Sequence, residues 1–207
     1  MPKSQATAAP DSTAERILDV AERLIQTKGF NAFSYADIAS ELSVTKASLH
    51  YHFATKALLG LRIVERYAAL FEQALGAIAA REQTADKKLR AYAALYEGVL
   101  REGRMCLCGM LAADFETLSA DTQARLQAFF DMNERWVAHV LEDGRTAGEL
   151  KFEGPALQEA RCIVGGLEGA MLIARSYGDP ARFSTTAARI VAAAAVAKSA
   201  QRPRRKK

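Results

Sequence analysis

The chain has 207 residues, of which 50% are hydrophobic and 25% charged, a composition typical of globular proteins that excludes a wholly disordered chain. No stretch without a charged residue exceeds nine positions, whereas a membrane-spanning helix needs roughly 18–20 apolar residues, so a transmembrane segment is excluded. The formal net charge of +4 comes from residues 201–207, and the rest of the chain is close to neutral, so the basic total is no evidence that the folded body binds nucleic acid.

Both termini are predicted to lie outside the folded body. Residues 1–12 lack the continuous apolar core of a secretory signal, so we expect a disordered arm and a cytoplasmic protein. The basic tail, residues 201–207, has two interpretations: a solvated disordered end, or an arm that contacts DNA phosphates. Three cysteines, an odd number, argue against a disulfide framework.

Local signals in the first third of the chain predict four helices. Aromatic residues make up only 8% of the chain and prolines number five, which favours helix over sheet. The predicted helices cover about residues 13–27, 35–42 and 46–52, and a fourth, capped by Thr55, runs to about residue 80. Ser34 and Asp37 form a capping-box pattern, and Thr45 precedes the third helix as its cap. Two short helices around a turn, with a helix before and after, predict a helix-turn-helix.

The remaining chain has the same helical periodicity. Helices are predicted near residues 86–101, 107–118, 121–146, 155–177 and 180–199, with breaks at Gly, Ser or Pro, and no segment has the pattern of a strand. The fold class is therefore all-α with about nine helices. We predict a domain at 13–60 that contains the helix-turn-helix and a second helical domain at 61–200.

Three blocks in the predicted helix-turn-helix resemble one known family. They read GFNAFSYADIA at 29–39, VTKASLHYHF at 44–53 and TKALL at 55–59. Together they resemble the DNA-binding domain of the tetracycline-repressor (TetR) family, and GEL at 148–150 with GGLEGA at 165–170 is similar to its more variable second half. The resemblance implies a homodimeric regulator of transcription, usually a repressor, that binds double-stranded DNA and responds to a small molecule. It makes 13–60 the DNA-binding domain and 61–200 the ligand-binding and dimerisation domain. Ser43 departs from the glycine that the family usually has at the turn, which predicts strain there.

The DNA-binding candidates lie on the second to fourth predicted helices. The start of a recognition helix meets base edges, whereas polar-ended aromatics and lysines reach phosphates; Leu49 and Phe53 should face the core. The predicted contacts are Ser34, Tyr35, Thr45, Lys46, Ala47, Ser48, His50, Tyr51, His52 and Lys56. A metal pair at His50 and His52 is the disfavoured alternative, and no metal or other cofactor is expected.

Aromatic and ionisable residues in the second half are the ligand-binding candidates. The resemblance implies one effector cavity per subunit, surrounded by helices four to eight, although such residues at helical spacing are also ordinary core. The candidates are Phe71, Tyr92, Tyr96, Phe115, Phe129, Trp136, His139, Met171 and Arg175. Arg175 and Glu168 share a helix face and fit either a polar ligand anchor or a dimer salt bridge.

The last two helices are the predicted dimer interface, as a four-helix bundle formed with a second copy. The predicted interface residues are Leu157, Ile163, Gly166, Leu167, Phe183, Ile190, Val191 and Ala194.

Cys106 is a candidate thiol sensor. It falls at the predicted start of the sixth helix, just after Arg104, and both features favour a thiolate, so we expect Cys106 to react first of the three cysteines. Electrophile-sensing branches of the resembled family have a cysteine in a similar Cys-Leu setting. The alternative is a packed small residue.

Two other functional classes are an enzyme and a DNA-binding dimer that needs no effector. The sequence has no phosphate loop and no His-Glu-x-x-His or Glu-x-x-His spacing, so an enzyme is disfavoured. A DNA-binding dimer that needs no effector remains an open alternative.

Overall fold

The computed structural model describes residues 12–194 as α-helices joined by short turns. The basic tail and nearly all of the predicted N-terminal arm lie outside the described residues. Within the described range the helices are α1 (Thr13–Lys28), α2 (Tyr35–Leu42), α3 (Lys46–His52), α4 (Lys56–Arg81), α5 (Ala85–Arg101), α6 (Leu107–Ala113), α7 (Ala120–Thr146), α8 (Ala156–Ser176) and α9 (Pro180–Ala194). Short 3-10 turns occur at Phe30–Ala32 and Phe115–Thr117. The all-α prediction with about nine helices is confirmed. Within residues 12–194, no helix is long and apolar enough to cross a membrane.

The predicted caps of the DNA-binding segment are present. The Thr45 hydroxyl accepts the Ser48 N–H at 3.2 Å, and the Thr55 hydroxyl accepts the Leu58 N–H at 3.1 Å. At the start of α2, the N–H and the hydroxyl of Ser34 both donate to the Asp37 carboxylate, at 2.7 and 2.8 Å. These bonds satisfy backbone groups that have no partner inside the helix, which is why α2 and α3 begin where local sequence predicts.

One helix is shorter than predicted. The sixth helix was expected to span 107–118, but α6 ends at Ala113. Asp114 leaves helical geometry, with φ −99° and ψ 13°, and its carboxylate accepts the Phe30 N–H at 2.8 Å. The Thr117 hydroxyl donates to the Asp114 carbonyl at 2.7 Å and supports a 3-10 turn in place of another helical turn.

The described chain divides into two compact units, each with its own core. Unit 1 contains the described residues up to Phe71 together with Arg104–Phe129. Its fully buried side chains include Ile17, Ile25, Ile38, Leu49, Leu59 and Ile63. Unit 2 contains Glu72–Gly103 and the described residues from Phe130 onward. Its fully buried side chains include Leu89, Tyr92, Leu141, Leu167, Met171 and Phe183. The units do not coincide with the predicted domain boundary after residue 60, because α6 belongs with the helix-turn-helix.

Inside unit 1, one arginine joins α4 to α1. The Arg66 guanidinium donates to Asp19 at 2.7 Å, to Glu22 at 2.8 Å and to Glu15 at 3.1 Å. Burial lowers the pKa of Arg66, but the hydrogen bonds that it donates to Glu22 and Asp19 outweigh that effect, and the pKa is raised. Since the acidic side chains follow one face of α1, this contact fixes the long helix against the first one.

The turn between α2 and α3 depends on a left-handed serine. Ser43 has φ 55° and ψ 42°, and it is the non-glycine residue with positive φ in the described part of the chain. Its N–H bonds to the Ala39 and Ser40 carbonyls and closes α2. Left-handed geometry costs a side chain with a Cβ about 1–2 kcal/mol relative to the right-handed region. The strain predicted from the missing glycine is therefore located at this position.

Ser43→Gly is expected to stabilise the protein by about 0.5–1 kcal/mol, since relief of the left-handed strain outweighs the entropy that glycine adds to the unfolded chain. Ser40→Gly is the matched control, because Ser40 is an exposed residue inside α2 and glycine should cost stability there. Calorimetric melting of both variants makes the comparison. A lower melting temperature for Ser43→Gly would show that the serine side chain compensates for its own strain.

Candidate functional site

The recognition-helix candidate, α3, has a buried face and an exposed face. Leu49 is fully buried and Phe53, at its C-terminal end, is 7% exposed, as predicted. Lys46 and Ala47 in the first turn are exposed, and the Tyr51 side chain is 86% exposed. Because the apolar face is covered, the polar face of this short helix is presented to solvent in a fixed orientation.

The structure places the ten DNA-binding candidates in one region of unit 1. Exposed residues among them are Ser34, Thr45, Lys46, Ala47, His50 and Tyr51, and half-buried ones are Ser48, His52 and Lys56. A groove of about 410 Å³ runs through this region; it is lined by Phe33, Ser34, Tyr35, Ala36, Lys46, His50 and Lys56. The groove therefore brings together residues of α2, α3 and α4 with two lysines at its edges.

Tyr35 differs from the prediction. Its side chain is buried, its hydroxyl donates to the Phe53 carbonyl at 2.7 Å, and burial raises its pKa to about 12. The ring lies 4.7 Å from the His50 ring, centroid to centroid. Tyr35 thus holds the end of α3 against α2, and its hydroxyl is occupied where the prediction gave it a DNA contact.

Lys56 is more constrained than the predicted point charge. Its ammonium donates to the Phe33 carbonyl and lies 4.2 Å from the centroid of the Phe33 ring and 4.8 Å from that of Phe30. Burial lowers the pKa of Lys56, and the negative charges of Asp114 and Asp37 oppose that effect. An ammonium has three N–H donors, so this anchored lysine can also donate to a phosphate in the groove.

The ligand-binding candidates form two separate clusters. In unit 1 the Phe71 and Phe129 rings pack edge to face at 5.2 Å, beside Tyr67, while Phe115 is half-buried on its 3-10 turn. This cluster is apolar around one phenol.

The cluster in unit 2 contains a buried polar network. The Tyr92 hydroxyl donates to the side-chain oxygen Oδ1 of Asn133 at 2.9 Å and lies 2.9 Å from the Tyr96 hydroxyl. Trp136 stacks on Tyr92 with ring centroids 5.6 Å apart. Buried hydroxyls and an amide among aromatic rings give this cluster hydrogen-bonding groups in an apolar setting.

Three other ligand candidates lie at different depths in unit 2. Met171 is fully buried, and Arg175 lines a surface pocket of about 340 Å³ together with Arg101 and Asp179. His139 differs from the prediction that it lines the ligand site. It is exposed, and its Nδ1 lies 2.7 Å from the carbonyl of Arg135 on its own helix, so it faces solvent instead of the buried cluster.

Cys106 lies at the N-terminus of α6, as predicted, and it serves as the N-cap of that helix, but it is buried. Its Sγ accepts the Gly109 N–H at 3.5 Å and lies 3.9 Å from the Tyr67 hydroxyl. The side chain is 1% exposed, whereas Cys162 is exposed. Cys106 is therefore less accessible to solvent than Cys162, which opposes the prediction that it reacts first of the three cysteines; that order of reaction stays a prediction.

Most of the predicted dimer interface is core of the chain itself. Side chains with at most 1% exposure are Ile163, Leu167, Phe183 and Val191. A Cβ on Gly166 would lie 3.0 Å from Cδ1 of Ile190, so this glycine allows α8 to approach α9 of the same chain. Of the remaining candidates, Leu157 is 38% exposed and Ala194 ends the described range.

The opposite face of α8 is apolar and uncovered in the single chain. Leu172, Ile173 and Tyr177 are 58, 54 and 64% exposed. On the same helix, a Cβ added to Gly165 or Gly169 would meet no atom within 4 Å. Sequence reasoning missed this face because helical periodicity marks apolar stripes without showing which of them the same chain covers.

Sequence reasoning also missed the contacts that hold unit 1 together. Asp114 and Phe30 are 84 positions apart, and no local pattern relates them. The acidic residues Glu15, Asp19 and Glu22 recur on one face of α1 and were a usable signal for a cationic partner, although not for Arg66 in particular.

Comparison with known families identifies both halves of the chain. Residues 17–63 match the model of bacterial regulatory proteins of the tetR family, and residues 85–190 match the tetracyclin repressor-like C-terminal domain. The first match covers the groove residues of α2, α3 and α4, and the second covers most of unit 2.

Relatives and solved structures agree with this match. The chain is 27% identical over 176 residues to the HTH-type transcriptional repressor NemR of Escherichia coli K12, covering 80% of this chain and 86% of NemR. A TetR-family transcriptional regulator from Agrobacterium tumefaciens has a TM-score of 0.85 at 31% identity, with 88% of this chain and 97% of that one covered. A TetR transcriptional regulator from Legionella pneumophila has a TM-score of 0.80 at 32% identity, with 90 and 100% covered. The chain belongs to the TetR family of transcription regulators.

Proposed function

We propose that the protein is a homodimeric transcriptional repressor that binds a palindromic operator through α3 and is released from it by a small, partly hydrophobic effector. The observation that carries the proposal is the fixed exposure of Lys46, Ala47 and Tyr51 on a helix whose other face is buried at Leu49. A helix seated in this way presents base-reading groups in the major groove with phosphate-binding groups beside them.

Electrostatics near the groove suit a phosphate backbone. Lys46 is exposed at the start of α3, and the Lys56 ammonium lies at the start of α4. Bonds from Ser34 lower the pKa of Asp37, so this carboxylate stays ionised and engaged with the α2 cap. The candidate residues divide into two groups by the part of the DNA that they contact. The residues proposed to contact base edges are Thr45, Lys46, Ala47 and Ser48. The residues proposed to contact phosphates are Ser34, His50, Tyr51, His52 and Lys56.

The exposed apolar face of α8 supports a dimer. Ile173 lines a groove of about 560 Å³ between α8 and α9, together with Gly169 and Thr185, and Leu172 is exposed on the same helix. Burial of such side chains against a second copy removes apolar area from water, and the open glycines permit a close approach of the helices. Two copies of α3 then face two halves of one operator.

The effector site is assigned to the unit 2 cluster. The network of Tyr92, Tyr96 and Asn133 offers hydrogen-bonding groups, and Trp136 offers a ring for stacking. Pockets for small molecules combine an apolar lining with a few polar groups of this kind. A regulator that needs no effector remains the alternative, and a ligand that binds wild type but not Asn133→Leu would exclude it.

For DNA, the expected binding site is a sequence with two-fold symmetry whose half-sites lie roughly 34–36 Å apart. Lys46→Ala or Thr45→Ala should change base preference, whereas Tyr51→Ala should weaken binding by a similar factor on all sequences. Selection of duplexes from a random pool, followed by footprinting, measures both effects. A footprint without dyad symmetry would contradict the dimeric operator.

For assembly, Ile173→Arg is expected to convert the dimer to a monomer at micromolar concentration, because it places a charge in the apolar interface. Leu70→Arg is the matched control: Leu70 is also 54% exposed but lies on α4 in unit 1. Sedimentation velocity separates the two variants. A wild-type monomer, or an Ile173→Arg dimer of unchanged affinity, would refute the α8 interface.

A second candidate function is a thiol-based sensor of small oxidants. The observation that favours it is the pair of donors around Cys106, the Gly109 N–H and the Tyr67 hydroxyl, which stabilise a thiolate. Hydrogen peroxide would oxidise this thiolate to a sulfenic acid: the sulfur takes one oxygen as the O–O bond breaks, and the other oxygen leaves as hydroxide, which takes a proton from solvent to form water. The added oxygen has no space beside a fully packed sulfur, so the start of α6 would have to move.

Cys106→Ser is expected to keep operator affinity, because serine is also a good helix cap, and to abolish release by peroxide. Cys162→Ser is the control, and it should respond to peroxide as the wild type does, because Cys162 is exposed on α8. Operator release is followed by fluorescence anisotropy, with reversal by dithiothreitol. Equal release of wild type and Cys106→Ser would leave Cys106 as a packing residue.

A further inference from the structure

The end of α6 is bonded to the turn that follows α1. The Asp114 carboxylate accepts the Phe30 N–H at 2.8 Å and the Asn31 side-chain amide at 3.0 Å. The same amide donates to the Thr117 hydroxyl at 3.0 Å. We call these four residues, Asp114, Thr117, Phe30 and Asn31, the α6 clasp. Two N–H groups that donate to one carboxylate form charge-assisted bonds, which are stronger than bonds between neutral groups.

The clasped turn is packed too closely to move alone. A Cβ on Gly60 of α4 would lie 2.9 Å from Cε2 of Phe30, and a Cβ on Gly29 would lie 3.3 Å from the Asp114 carboxylate. Gly29 also has φ 95°, which a residue with a side chain rarely adopts. Phe30 is therefore confined between α4 on one side and Asp114 on the other.

The same turn also contacts Lys56, the lysine at the start of α4 that lines the proposed DNA-binding groove. The Lys56 ammonium lies over the Phe30 and Phe33 rings and donates to the Phe33 carbonyl. The charge of Asp114 acts on Lys56 directly, because it opposes the effect of burial on that ammonium. Asp114 thus acts on Lys56 in two ways: it is hydrogen-bonded to the turn on which the ammonium rests, and its charge acts on that ammonium.

We infer that Asp114 is a positioning residue for operator binding, which through the α6 clasp holds the Phe30–Phe33 segment in the conformation that aims Lys56 into the groove. This role rests on the proposed operator binding. The expected effect on affinity is opposite to that of charge. A carboxylate close to a DNA-binding groove repels phosphates, so by charge alone its removal would tighten DNA binding.

The opposed signs provide the test. Asp114→Asn is compared with Glu116→Gln, an exposed carboxylate two positions away that undergoes the same change of charge. On a duplex selected from a random pool, we expect Asp114→Asn to bind about tenfold more weakly, the loss of one charge-assisted bond, and Glu116→Gln to bind as tightly as wild type or more tightly. Asn31→Ala, which removes only the exposed part of the clasp, should weaken binding by a smaller factor and is the substitute if Asp114→Asn does not fold.

Two readouts separate positioning from a general loss of stability. In a Lys56→Met background the Asp114→Asn substitution should cost no further affinity, since the group that it aims is absent; a purely structural role would keep the tenfold factor. Independently of DNA, NMR titration of the Lys56 side chain should give a lower pKa in Asp114→Asn and an unchanged one in Glu116→Gln, because only Asp114 acts on that ammonium.

The outcomes are distinguishable. A wild-type chain that binds no selected duplex overturns the proposed function and this role with it. Wild-type binding that Asp114→Asn leaves unchanged, or a tenfold loss that persists in the Lys56→Met background, overturns the positioning role alone. An unchanged Lys56 pKa in Asp114→Asn also contradicts it.

Discussion

A helix of seven residues is not stable in water by itself, and every functional statement about this protein depends on how α3 is held in place. Its own sequence supplies only a threonine cap and two apolar side chains, Leu49 and Phe53. The remaining constraint comes from α2, where the Tyr35 hydroxyl bonds to the Phe53 carbonyl at the end of α3. The recognition helix is therefore oriented by contacts on its buried side, which leaves its exposed side chains available for DNA.

The surroundings of α3 are in turn fixed by contacts distant in sequence. Arg66 joins α4 to three carboxylates of α1, and Asp114 joins the end of α6 to the turn after α1. Both contacts use ionised groups with several bonds, which fix direction as well as distance. Unit 1 thus includes α6 as a structural part of the DNA-binding region, and a movement of α6 has a covalent and hydrogen-bonded path to the groove inside that unit.

Local sequence was sufficient where local bonds decide the structure. The starts of α2 and α3 were predicted correctly because Ser34 and Thr45 cap them through residues three positions away. The end of α6 was not, because Asp114 leaves the helix to bond with Phe30, 84 positions earlier.

The candidate site shows the same limit in other ways. Periodicity marked Ile163 and Leu167 as an apolar stripe, but it did not show that they are buried within the same chain while Ile173 stays exposed. The sequence placed Cys106 at the start of the sixth helix, but its burial depends on the whole core and could not be predicted from that position. Tyr35 lay inside a DNA-binding motif, yet its hydroxyl serves the packing of α3.

The central claim is that the groove formed by α2, α3 and the start of α4 is the DNA-binding surface. Amide hydrogen exchange, measured with and without a selected operator duplex, tests it most directly, because protection can be assigned to peptides along the chain. We expect the added protection to be concentrated in residues 33–56 and the exchange of α8 amides to be unchanged. Protection confined to α8 and α9, with residues 33–56 unaffected, would contradict it.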